Sequence, residues 1–130
     1  MKKNKLVFIA AFIALLMVLA ACSSAAIELD EQDNGQSVEV ATGDKITITL
    51  EGNPTTGFSW EVGEINSAVA ELAGEPDYKT DSKMLGSGGV YTFTFKAVAA
   101  GTTNIRLVYH RSWEEGVDPE KVYEVTLNVK

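Results

Sequence analysis

The sequence is poor in the residues from which active sites and covalent cross-links are usually built. Its 130 residues include one cysteine, one histidine and three prolines. A single cysteine cannot close an intrachain disulfide, so core packing has to hold the fold. One histidine cannot supply the several imidazoles of a catalytic zinc site. The sequence therefore predicts a protein that binds no metal or cofactor and is not an enzyme.

Motifs of nucleophilic and phosphate chemistry are missing as well. His110 directly precedes Arg111 at the end of an alternating segment, which favours a solvent-facing residue, and no nucleophile motif accompanies it. The glycines in residues 86–89 run into strand-like sequence. They lack the Lys and Ser/Thr that open a helix after a phosphate-binding loop.

The N-terminus has the pattern of an export signal. Three lysines precede an apolar run over residues 6–21, which is shorter than the ~20 residues of a spanning helix. Cys22 follows small residues, as in a bacterial lipobox; an ordinary signal peptide with an incidental Cys22 is the alternative. We expect a lipoprotein signal peptide over residues 1–21, a lipidated Cys22 with a short tether over 22–26, and one domain over 27–130. The expected location is outside the cytoplasm, lipid-anchored to the cell envelope.

Basic residues are also scarce. The chain has 11 Lys and Arg against 18 Asp and Glu. Removing residues 1–21 would leave 109 residues and take away three lysines, which changes the net charge from −7 to −10. Such a surface repels nucleic acid and anionic lipid headgroups. We predict no nucleic-acid partner, membrane attachment only through the lipid, and a monomer, since nothing in the sequence requires more.

Beyond the signal segment, the sequence has no sustained helical period, and apolar residues alternate with polar ones instead. Close spacing of such strands with glycine-rich turns indicates an all-β sandwich or barrel. We favour an immunoglobulin-like β-sandwich without disulfide. The alternating apolar residues are Ile27 and Leu29; Val38 and Val40; Ile46, Ile48 and Leu50; Phe58, Trp60 and Val62; Tyr91, Phe93 and Phe95; Ile105, Leu107 and Tyr109; and Tyr123, Val125, Leu127 and Val129.

Residues 53–57, with the sequence NPTTG, form a stiff polar loop before an aromatic strand. Pro54 fixes its own φ and restricts Asn53, while Gly57 permits backbone angles that other residues avoid. A stiff loop loses little entropy on binding, which favours a binding tip, although a well-made turn explains the pattern equally well.

Two later segments decide between these interpretations. They are the glycine-rich residues 86–89 and, after a β-like run, Arg111 and Trp113. Trp113 lies outside any strand alternation, and exposed Trp and Arg often anchor interfaces; a lid over the sandwich edge is the alternative. The three segments, in this order and spacing, resemble the chagasin-type inhibitors of papain-like cysteine peptidases. The resemblance covers most of the predicted mature chain, and NPTTG is a full match.

The resemblance implies an immunoglobulin-like fold and a reversible, tight-binding inhibitor that wedges three loops into the cleft of a papain- or cathepsin L-type peptidase. Residues 53–57 would enter the cleft above the catalytic cysteine, residues 86–89 would line one wall, and Arg111 with Trp113 would pack on the primed side. Ser112 departs from the family's usual proline. The implied peptidase-binding residues are Asn53, Pro54, Thr55, Thr56, Gly57, Gly86, Gly88, Gly89, Arg111 and Trp113.

Two other functions are compatible with the sequence. A surface-anchored adhesion or carbohydrate-binding sandwich would stack Trp113 on a sugar. A purely structural envelope lipoprotein would leave the stiff loop at residues 53–57 unexplained.

Overall fold

The structure, a computed structural model, describes residues 24–80 and 88–130. Within these two ranges, the regular elements are strands and two short 3-10 turns, Glu31–Asp33 and Pro54–Thr56, and no helix is long and apolar enough to span a membrane. The strands are β1 (Ala26–Leu29), β2 (Ser37–Val40), β3 (Lys45–Gly52), β4 (Ser59–Glu64), β5 (Ala70–Leu72), β6 (Asp77–Thr80), β7 (Gly89–Ala97), β8 (Gly101–His110) and β9 (Lys121–Val129).

The strands form two sheets. The first has the order β1-β3-β7-β5, with β6 also paired to β7, and the second has the order β2-β9-β8-β4. The edge strands β1 and β2 run parallel to β3 and β9, and the other pairs are antiparallel. The predicted all-β, immunoglobulin-like sandwich is confirmed.

The core lies between the sheets and follows from period-2 alternation, because alternate side chains of a strand point to the same face. The predicted apolar phases of β3, β7, β8 and β9 are buried, and Trp60 is also a core residue. The largest fully buried side chains are Tyr123, Phe93, Phe95, Ile46, Ile48, Leu50, Ile105, Leu107, Leu127 and Val125.

Two strands were not predicted from the sequence. Strand β5 has three residues and strand β6 has four, and both pair with β7. Strand β6 contains no fully buried residue, so it has no alternating pattern to reveal it. It forms because β7 offers backbone partners along its length.

The sandwich has two distinct ends. Strand β3 begins at the end that we call the base and finishes at the opposite end, the tip, about 25 Å away at the usual rise per residue. At the base, the Asp44 carboxylate accepts hydrogen bonds from the Ala25 N–H at 2.9 Å and the Ala41 N–H at 2.8 Å. Ala25 and Ala26 belong to the segment predicted as a tether, but Ala25 is bonded to Asp44 and β1 begins at Ala26. Cys22 and the signal segment lie outside the described residues.

Candidate functional site

The first loop, residues 53–57, begins where β3 ends and is braced by its own side chains. The Asn53 side-chain oxygen accepts hydrogen bonds from the Thr55 N–H at 3.1 Å and the Thr55 hydroxyl at 2.6 Å. The Thr56 hydroxyl donates to the Asn53 carbonyl at 2.7 Å. Gly57 closes the turn with φ of 87°, donating to the Pro54 carbonyl at 3.0 Å. The NPTTG sequence thus encodes a capped 3-10 turn whose two threonines are exposed at the tip.

Tyr109 of β8 joins this loop to the second sheet. Its hydroxyl accepts a hydrogen bond from the Asn53 N–H at 2.9 Å and lies 3.4 Å from the Asn53 carbonyl, to which it donates. The ring packs against Phe58 and Trp60, with centroid distances of 5.4 and 5.1 Å. The alternation in the sequence predicts only that Tyr109 lies in the buried phase of its strand. The sequence feature that could have indicated this contact is a tyrosine hydroxyl at the last buried position of the strand before a loop.

The third loop, residues 111–120, packs on the first. Arg111 Nε donates to the Thr56 carbonyl at 3.2 Å, and its guanidinium lies 4.4 Å from the centroid of the Phe58 ring. Arg111 also forms an ion pair with Glu114 at 3.2 Å. Arg111 therefore has a bracing role within the tip that the sequence did not indicate.

Trp113 is the most exposed large hydrophobic side chain among the described residues, with 67% of its surface accessible. Its ring lies against Gly57, since a Cβ added there would be 2.7 Å from the Trp113 ring. Gly57 is thus required by a positive φ and by this close approach. The structure confirms that Trp113 lies outside the core and brings it beside the first loop.

The glycine segment, residues 86–89, is described only from Gly88 onward, and Gly86 lies outside the described residues. Gly88 adjoins the first loop, because a Cβ there would be 3.2 Å from the Gly52 carbonyl oxygen. Gly89 is buried and pairs with Gly52, and an added Cβ would overlap the Lys79 carbonyl oxygen. Its observed role is close strand packing. Contact of this segment with a peptidase stays a prediction.

An open cleft of about 370 Å³ is lined by residues of the glycine segment and of the first loop. Asn53, Tyr109 and Lys121 contribute to its walls. His110 is partly exposed beside the tip, and its Nε2 lies 2.9 Å from a Glu61 carboxylate oxygen. Among the described residues, no group of three or more His, Cys, Asp or Glu side chains could hold a metal ion.

The charge of the tip is mainly negative. The third loop contains four carboxylates, and only the one on Glu114 is paired with Arg111. Tyr91, near the root of the first loop, adds no negative charge there, because burial raises its pKa above the ordinary value of 10.0. A neutral, hydrogen-bonded first loop therefore stands next to an acidic third loop.

Comparison with known proteins identifies this arrangement. The profile of the family described as "Chagasin family peptidase inhibitor I42" matches residues 39–127, which include the first and third loops. The chain belongs to the chagasin family of peptidase inhibitors.

The relatives of this chagasin-family chain include eukaryotic proteins. Chagasin of Trypanosoma cruzi is 39% identical over 84 residues, which are 62% of this chain and 76% of chagasin. Amoebiasin-1 of Entamoeba histolytica is 30% identical over 107 residues, 80% of this chain and all of the relative. The crystal structure of the Entamoeba histolytica cysteine protease inhibitor EhICP2 superposes with a TM-score of 0.74 at 27% identity, covering 82% of this chain and 97% of the other.

Proposed function

We propose that this protein is a reversible, tight-binding inhibitor of papain-like cysteine peptidases and that its tip occupies the active-site cleft. One observation carries the proposal: the first and third loops form a single preformed surface in a chain of the chagasin family. Arg111 donates a hydrogen bond to Thr56, and the ring of Trp113 packs against Gly57. Family membership favours this function over sugar binding or a purely structural role. It also indicates a protein that blocks catalysis rather than performing it.

The first loop is the part that enters the cleft. Thr55 and Thr56 are exposed at its apex, while hydrogen bonds within the loop hold its backbone. Little conformational entropy remains to be lost on binding, and preformed loops can give high affinity over an interface of ordinary size, about 1,600 Å². The 3-10 turn also bends the chain away from the extended form of a peptide substrate. We therefore expect the loop to present no carbonyl in line for attack and to block the cleft without being cleaved.

The third loop extends the contact along the cleft. Trp113 offers a large, rigid apolar surface of the kind that dominates interface energies. Glu115 and Asp118 are exposed on the same loop. Gly88 lines the open cleft together with Tyr109, and the absence of a side chain there would let a peptidase backbone approach closely.

Titration of active-site-quantified papain and a cathepsin L-type enzyme with residues 23–130 tests this proposal, with a serine peptidase as the control. We expect stoichiometric, reversible inhibition of the cysteine peptidases alone. A variant carrying both Thr55→Val and Thr56→Val keeps the size of the side chains but removes the hydroxyls that brace the loop on Asn53, and it should inhibit more weakly. Absence of inhibition by the folded, unsubstituted domain would contradict the proposal.

We further propose that the protein is exported and anchored to the cell envelope through a lipid on Cys22. The N–H of Ala25, three residues after Cys22, is held at the base by Asp44. An anchor at Cys22 would therefore keep the base near the membrane and direct the tip away from it, where a peptidase can reach it. Incorporation of a radiolabelled fatty acid into the full-length chain, and its loss in Cys22→Ser, is the expected result. Equal labelling of the two proteins would refute the anchor.

A further inference from the structure

We propose that Tyr109 is a positioning residue for inhibition, whose hydroxyl sets the orientation of the first loop relative to the third loop. The inference deepens the proposed function and rests on it. Tyr109 is buried and would not touch a peptidase through its ring. Its effect on binding would pass through Asn53.

The hydroxyl completes the backbone bonding of Asn53 where the sheet ends. The last pair between β3 and β7 is Gly52 with Gly89, so the Asn53 N–H lies one residue beyond the ladder. Tyr109 accepts from this N–H at 2.9 Å and donates to the carbonyl of the same residue at 3.4 Å. One side-chain atom therefore fixes the peptide groups on both sides of Asn53.

Two residues at the junction of β8 and the third loop hold the first loop at two points. Tyr109 contacts Asn53 at the start of the loop, and Arg111, two residues later, donates to Thr56 near the loop's end. A glycine lies at each end of the loop, Gly52 directly before it and Gly57 as its last residue, and glycine resists backbone rotation least. The contacts from Tyr109 and Arg111 thus prevent the loop from pivoting at these two glycines, and they tie it to the end of β8 and the start of the third loop.

Tyr109 itself is held firmly enough to act as a reference point. Its ring packs between Phe58 and Trp60, and the Lys121 ammonium lies 5.5 Å from its centroid. The backbone carbonyl of Tyr109 also accepts a hydrogen bond from the Glu120 N–H at 2.9 Å, which closes the root of the third loop. Tyr109 therefore contacts the first loop through its side chain and the third loop through its backbone.

The neighbouring strand supplies a matched control. Tyr123 of β9 is as deeply buried as Tyr109, but its hydroxyl has no hydrogen-bond partner among the described residues. The pKa of Tyr123 is strongly raised, chiefly because the side chain is buried. Removing the two hydroxyls makes the same chemical change at two buried sites of one sheet. Only the change at Tyr109 should affect the first loop.

The test compares Tyr109→Phe with Tyr123→Phe in residues 23–130. For Tyr109→Phe, we expect the inhibition constant for papain to rise about tenfold, the effect of losing one well-placed hydrogen bond at the loop. Amide hydrogen exchange should accelerate at Asn53 and in residues 53–57 but not in the strands. Tyr123→Phe should leave both the inhibition constant and this exchange pattern unchanged.

Several results would overturn the inference. An unchanged inhibition constant in Tyr109→Phe, beside a fully inhibitory unsubstituted protein, would refute the positioning role and leave the proposed function intact. Equal weakening in both variants, or faster exchange throughout β8 and β9, would show a general loss of packing instead. Absence of inhibition by the unsubstituted protein would remove the proposed function and this inference together.

Discussion

The two ends of the sandwich are built in different ways. At the base, a buried carboxylate on Asp44 holds two backbone N–H groups from separate segments. At the tip, neutral hydrogen bonds hold the first loop, and Trp113 is left largely exposed. The base therefore joins segments of the domain, and the tip presents a preformed surface to a partner.

This difference separates binding from stability. Loss of the Asp44 carboxylate would remove the hydrogen bonds that hold the N–H groups of Ala25 and Ala41, which destabilises the folded state. Truncation of an exposed side chain removes almost nothing from the folded state but can remove much of an interface. Substitutions at the tip should therefore change inhibition, and substitutions at the base should change stability.

The largest expected effect on inhibition follows from Trp113→Ala. Because a central Trp commonly contributes about 2 kcal/mol or more, the inhibition constant for papain should rise roughly 30-fold or more. The melting temperature should hardly change, since the side chain is 67% exposed. Val117→Ala on the same loop, where the residue is 60% exposed, is the control for losing an exposed apolar group. Equal effects from the two variants would argue against an anchor at Trp113.

A smaller effect on inhibition, joined to a modest loss of stability, is expected from Gly57→Ala. The positive φ of 87° should cost about 1 kcal/mol for alanine, and the new methyl would displace the Trp113 ring. Inhibition should weaken about tenfold if the pairing of the two loops matters for binding. Gly116→Ala also replaces a glycine of positive φ, 70°, but has no neighbour within 4 Å, so it reports the backbone strain alone. If both variants inhibit equally, contact between the first and third loops is unimportant.

The smallest effect on inhibition should come from Asp44→Asn at the base, although the domain should be clearly less stable. The amide retains one acceptor and turns an NH₂ group toward the other N–H. Chemical denaturation measures the loss, and Asp77→Asn, an exposed position on β6, is the control. Inhibition weakened to the extent seen for Trp113→Ala, in protein shown to be folded, would contradict the division between base and tip.

Lowering the pH should destabilise the domain at this end of the sandwich through protonation of the same Asp44 carboxylate. Hydrogen bonds from the backbone N–H groups of Ala41 and Ala25 lower the pKa of Asp44 below its ordinary value of 3.8. The stabilisation is therefore complete above that value and is lost as the pH falls through the lower pKa of the folded protein. Denaturation midpoints measured between pH 6 and pH 2 should fall less steeply in Asp44→Asn than in the unsubstituted protein. Parallel pH profiles would show that Asp44 does not contribute to acid sensitivity.

Most of the fold could be predicted because apolar and polar residues alternate along the long strands. In β3, β7, β8 and β9, every buried residue of the predicted phase contributes to one core, so local pattern and global packing agree. Strands β5 and β6 could not be predicted, since they are short and form against β7 rather than from their own apolar pattern. Asp44, a buried charge in a turn, was likewise missed because its partners Ala25 and Ala41 carry no sequence signal.

The sequence by itself determined the all-β class, the stiff NPTTG turn and the exposed position of Trp113. These depend on period-2 alternation, on the backbone restrictions of proline and glycine, and on the position of Trp113 outside any strand. Only the tertiary structure decided that Arg111 and Tyr109 brace the first loop, because those contacts join residues about 55 positions apart in the chain. Such contacts depend on the packing of the two sheets, which places the ends of β3 and β8 side by side at the tip.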